Sequence, residues 1–140
     1  MSPSVDDDAL FCALVLAPTA FSRNRFFWLF EEPPRKRLRR RAGRIRGIIR
    51  QLVNPDRGKA EILGERVLDD GRVLLRYRVD ELGFSRTASL SPLEAATLRY
   101  ALHRAGRGPI VDEDRRLVEA ALVRLSTDLG VGLEPKPVQP

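Results

Sequence analysis

The chain has 140 residues, 43% apolar and 31% charged, with 25 Lys and Arg against 19 Asp and Glu for a formal net charge of +6. This length and apolar fraction describe one globular domain, and they exclude both a second large core and a chain that is disordered throughout. The charge is segregated: Met1 to Pro34 holds two Arg and five acids, Arg35 to Arg50 holds nine basic residues and no acid, and Gln51 to Pro140 holds fourteen of each. The whole excess therefore lies in one short segment.

Several chemistries lose their parts on composition alone. Cys12 is the only cysteine, so an intramolecular disulfide and a Cys-based zinc cluster are excluded. His103 is the only histidine, which removes multi-His metal sites and leaves a nucleophile one candidate base. The opening MSPSVDDD is acidic where a secretory signal is basic, and the apolar run Ala9 to Ala17 is too short to span a bilayer; the expected location is the cytoplasm. Arginine outnumbers lysine 22 to 3, a ratio that bidentate phosphate contacts and a G and C rich coding sequence explain equally well.

In chain order, Asp6 to Asp8 suit the positive end of a helix dipole, and ALFCALVLA continues as a short helix ending before Pro18. An aromatic cluster follows at Phe21, Phe26, Phe27, Trp28 and Phe30. From Pro34 a helix runs to about Val53, closed by Asn54 and Pro55. Its apolar residues Leu38, Ala42, Ile45, Ile49 and Leu52 fall on one narrow stripe at about 100° per residue. Arg35, Arg39 and Arg46 flank that stripe on one side and Arg37, Arg41 and Arg44 on the other, while Lys36, Arg40 and Arg50 occupy the back. Gly43 and Gly47 also project to the back, where each costs a helix about 1 kcal/mol and would let a large partner approach the backbone.

The period then changes to two. Lys59 to Leu68, the turn Asp69 to Gly71, the alternation Val73, Leu75, Tyr77, Val79, and a third segment Gly83 to Leu90 predict a three-stranded antiparallel meander. Its exposed face receives Arg76 and Arg78. Ser91, Pro92 and Glu94 form a capping box that opens a helix ended by Gly106, with Leu93, Ala96, Leu98, Ala101 and Leu102 turned inward. Asp112 to Asp114 open a last helix, with Leu117, Val118, Ala121, Leu122 and Leu125 as its inner face and Gly130 as its cap. The expected layout is an α+β domain over 1–131, helical over 6–53, a β-meander over 59–90 and a helical pair over 91–129, with a disordered tail over 132–140.

The functional expectation rests on the basic helix. Nine like charges without a counter-charge repel one another along a helix, so a solvated face alone is a poor reason for them. The reading favoured is a non-enzymatic module that binds nucleic acid, DNA or RNA, through phosphates and with little regard to sequence, using Arg35, Lys36, Arg37, Arg39, Arg40, Arg41, Gly43, Arg44, Arg46, Gly47, Arg50, Arg76 and Arg78. The alternative is an interaction or scaffold module whose helix docks on an acidic protein or on a second copy of the chain through Leu38, Ile45, Ile49 and Leu52. An anionic membrane surface ranks below both, although aromatics beside a polybasic segment are its usual signature. Asp69 with Asp70, Asp80 with Glu81, and Asp112 to Asp114 lie where turns and helix starts favour acids, and no glycine-rich phosphate loop follows a strand. No catalytic residue, cofactor or metal is expected.

Overall fold

The computed structural model describes residues 7–16, 36–53, 60–79 and 83–129. In chain order these form α1 (Asp7–Leu16), α2 (Lys36–Val53), β1 (Glu61–Val67), β2 (Val73–Arg78), β3 (Arg86–Leu90), α3 (Pro92–Arg104) and α4 (Asp112–Leu129). The layout is α+β: helices, then a three-stranded antiparallel sheet in the order β1-β2-β3, then two helices. The aromatic cluster, Arg35, Gly130 and the 132–140 tail lie outside the described residues.

α1 is apolar on every side, and a helix of that kind has to be enclosed. Every residue from Ala9 to Leu16 is buried, and α2, α3 and α4 surround it. Cys12 sits at the centre, fully buried, with its sulfur 3.5 Å from the Thr97 hydroxyl. That hydroxyl donates to the Leu93 carbonyl at 2.7 Å, and the thiol beside it behaves as a small core side chain.

The amphipathic stripe of α2 closes over α1. Leu38, Ala42, Ile45, Ile48 and Leu52 are its buried residues, whereas Ile49 is only partly buried. The expected stripe used Ile49; the buried one swings by about 20° toward the flank bearing Arg41, which faces the start of α3. The stripe therefore belongs to the chain's own core. Leu38, Ile45 and Leu52 are 7%, 0% and 5% exposed, which corrects the expectation that they meet a second copy.

The sheet follows its alternation closely. Val73, Leu75 and Tyr77 of β2, with Ala88 and Leu90 of β3, face the core. The ladder pairs Leu74 with Ser89 and Arg76 with Thr87, so these four share the outer face. At the β1–β2 turn the Gly71 N–H donates to the Leu68 carbonyl at 2.9 Å and the Leu68 N–H to the Arg72 carbonyl at 2.7 Å. Gly71 has φ +88°, a left-handed geometry that glycine tolerates best. Every residue of β1 is exposed, with a register shift between Ile62 and Gly64 that twists this edge strand. β3 begins at Arg86, later than the expected Gly83.

The capping box is present in full: Glu94 N–H donates to Ser91 Oγ at 3.1 Å and Ser91 N–H to Glu94 Oε1 at 2.7 Å. α3 ends at Ala105, where the Gly106 N–H reaches the His103 carbonyl and the Arg107 N–H the Leu102 carbonyl, the paired bonds of a Schellman motif. Gly106 takes φ +75° there. On α4, Val118, Ala121, Leu122 and Leu125 are buried, but Leu117 is 44% exposed and is corrected to the outer face. Asp114 holds the inner position instead, because Arg99 of α3 pairs with it at 3.2 Å.

Candidate phosphate-binding surface

α2 divides its arginines by what lies beside them. Lys36, Arg37, Arg39, Arg40, Arg44 and Arg50 are exposed, and none forms an ion pair with a described carboxylate. Arg41 differs from these. Its Nε lies 3.3 Å from Glu94 Oε2 and its Nη1 3.7 Å from Asp8 Oδ1, while Nη2 donates to Ser91 Oγ at 3.2 Å. Its guanidinium also stands 4.4 Å from the centroid of the buried Phe11 ring. Arg41 thus joins α1, α2 and the first turn of α3. This corrects its expected place among the phosphate contacts, since its donors and charge are already engaged inside the fold.

The same flank carries Arg44 one turn along, where it meets the sheet. Arg44 Nη2 donates to the Ser89 carbonyl at 2.8 Å, and Arg72 Nη2 donates to that same oxygen at 3.1 Å. Arg72 Nε is anchored 2.8 Å from Ser89 Oγ. Two guanidinium groups, one from helix and one from sheet, are therefore held on a single neutral oxygen, and neither has a described carboxylate partner. Like charges so placed raise the local positive potential, and each guanidinium keeps N–H donors for another acceptor.

From this junction the positive surface continues over the outer face of the sheet. Arg76 and Arg78 lie on the face opposite Leu75 and Tyr77, as their alternation requires. They are unequal. Arg76 is exposed opposite Gly64, with no acid across the ladder, whereas Arg78 pairs with Glu61, its cross-strand neighbour. Arg66, exposed opposite Leu74, adds to this face.

Gly43 and Gly47 lie on the back of α2, and a Cβ built at either meets nothing within 4 Å. That bare backbone adjoins Arg40 and Arg44 and is open to solvent. Arg46 is half-buried and engaged in an interaction of its own. Asp69 and Asp70 are exposed at the β1–β2 turn, as expected of turn acids, and Asp70 Oδ1 accepts from the Arg72 backbone N–H at 3.0 Å.

Arg72 and Arg66 were absent from the sequence-derived set, although one signal pointed to the first. The period-two alternation that gives Arg76 and Arg78 extends back through Leu74 to position 72. Arg66 becomes visible only through the strand register. His103 serves the fold, because its Nδ1 donates to the Gly108 carbonyl at 2.8 Å and closes the loop between α3 and α4. Among the described residues no group of three or more His, Cys, Asp or Glu gathers as a metal site, and no helix is long and apolar enough to cross a membrane. The chain matches no protein-family model, no curated protein and no solved structure.

Proposed function

We propose that this protein binds nucleic acid through the phosphate backbone, over a surface that runs from the exposed side of α2 across Ser89 to the outer face of the sheet. The observation that carries the proposal is the meeting of Arg44 and Arg72 on one carbonyl oxygen. It joins two basic patches from distant parts of the sequence and leaves both charges without a described carboxylate. A phosphate oxygen placed between them takes hydrogen bonds from both forks and offsets their repulsion. Lys36, Arg37 and Arg40 extend the contact along the helix, and Gly43 and Gly47 let the backbone of the ligand come close.

No base-reading element accompanies this surface among the described residues, so the contacts position the ligand and do not read sequence. The test is a salt titration of the full chain on two duplexes of unrelated sequence. Each phosphate contacted contributes about −0.9 to the slope of log K against log salt, so a surface engaging about five phosphates gives a slope near −4 to −5, the same for both duplexes. A chain that binds neither DNA nor RNA, duplex or single-stranded, at low salt overturns the proposal in favour of an acidic protein partner.

A further inference from the structure

Arg44, Arg72 and Ser89 differ from the rest of the basic surface in how closely their donors converge. Lys36, Arg37 and Arg40 are spread along α2, and Arg66 and Arg76 over the outer face of the sheet, whereas Arg44 and Arg72 reach one residue from two elements. Arg72 is held there twice, since its Nε lies 2.8 Å from Ser89 Oγ and its Nη2 3.1 Å from the Ser89 carbonyl. Because Ser89 Oγ accepts that bond, its own proton is left to donate to a ligand. Asp70 accepts from the Arg72 backbone N–H at 3.0 Å and is in ion-pair contact with neither guanidinium. The junction therefore gathers two positive charges, without a carboxylate among the described residues, and a hydroxyl donor around one half-buried residue of β3.

The number of charges selects the ligand. A phosphodiester inside a strand carries one negative charge and two free oxygens, so it neutralises one guanidinium and leaves the other repelled. A terminal phosphate, with a second pKa of about 6, carries about two negative charges at neutral pH and three free oxygens. It balances both guanidinium groups, gives an oxygen to each fork and presents the third to the Ser89 hydroxyl. We propose that Arg44, Arg72 and Ser89 form a receptor for the terminal phosphate of a nucleic-acid strand, and favour it over the phosphodiesters of the strand's interior. This rests on the phosphate-binding reading above and names the phosphate that the junction prefers. The separated cations of α2 and the sheet then hold the adjoining phosphodiesters, one charge each.

The experiment uses the full chain and hairpins of DNA and of RNA, each with one duplex end and a fluorescein in the loop. The ends compared are hydroxyl on both termini, a 5′-phosphate, a 3′-phosphate, and a 5′-methyl phosphate, which keeps the phosphate in place but carries a single charge. Anisotropy should show about tenfold tighter binding to one or both phosphorylated ends than to the hydroxyl end, and the methyl phosphate should lose most of that gain. R44A/R72A should bind every end alike, while R37A/R40A should weaken binding to all hairpins and keep the ratio between ends. The comparison among ends is read on wild type, so it does not depend on how any variant folds. The proposal is overturned if the wild-type chain binds neither phosphorylated end better than the hydroxyl end, or if the methyl phosphate binds as well as the phosphate. It is equally overturned if a folded R44A/R72A keeps the preference, or if inorganic phosphate binds as tightly as the phosphorylated end. When the hydroxyl-ended hairpin is still bound in those cases, the phosphate-binding reading survives; when the chain binds no DNA or RNA at all, both fall together.

Discussion

Replacing Arg41 by Met separates an arginine that holds the fold from those that hold a ligand. The methionine keeps most of the stem's volume and removes the guanidinium. Glu94, whose side chain is 5% exposed, then keeps the Ser91 N–H and loses its counter-charge. Removing one partner of a buried ion pair costs about 3–5 kcal/mol, and because 29% of the Arg41 side chain remains in solvent the lower end, about 3 kcal/mol, applies. At about 3 °C per kcal/mol for a chain of this size, the midpoint of thermal unfolding should fall by about 10 °C. R41M with E94Q should recover part of that loss, since the neutral amide no longer needs a cation. Circular dichroism melts measure the first effect, and anisotropy well below the midpoint measures binding. Affinity per folded molecule should stay near that of wild type. If R41M instead melts with wild type and loses affinity as R40A does, the division of α2 into structural and binding arginines is wrong.

Three other outcomes follow from the same geometry. I48A should cost about 2–4 kcal/mol and I49A clearly less, as read by urea denaturation, because Ile48 is 5% exposed and Ile49 only partly buried. G43A/G47A should raise stability by about 1–2 kcal/mol, since nothing obstructs either Cβ, and should weaken duplex binding if the ligand backbone approaches there. Burial raises the pKa of the Tyr100 hydroxyl, with Arg104 opposing the shift. The native state then keeps a proton that the unfolded chain releases, so stability is level below about pH 10 and declines above it. Y100F should lessen that decline in denaturation midpoints measured from about pH 9 to 11.

The elements whose cause is local were legible in the sequence. Ser91, Pro92 and Glu94 specify a helix start within four residues, and the alternation from Val73 to Tyr77 specifies which face of β2 is buried. Positions that depend on a partner from elsewhere were harder to read. Ile48 and Ile49 both lie within the apolar arc of α2, and only the docking of Arg41 on Glu94 and Phe11 selects between them. Leu117 is as apolar as its neighbours, yet Asp114 faces inward because Arg99 awaits it on another helix. For the same reason the composition of residues 35–50 located the basic surface but could not sort it. Arg41 and Arg44 are alike in sequence; one is engaged beneath the surface and the other meets Arg72 across it.

The central claim is that Arg44 and Arg72 together form a phosphate contact, and the salt dependence of duplex binding by the R44A/R72A double variant tests it most directly. Removing both guanidinium groups should make the log-log slope less steep by about one to two units, weaken binding equally on unrelated sequences, and leave the melting temperature within a few degrees of wild type. A double variant that keeps the wild-type slope and affinity would contradict the claim.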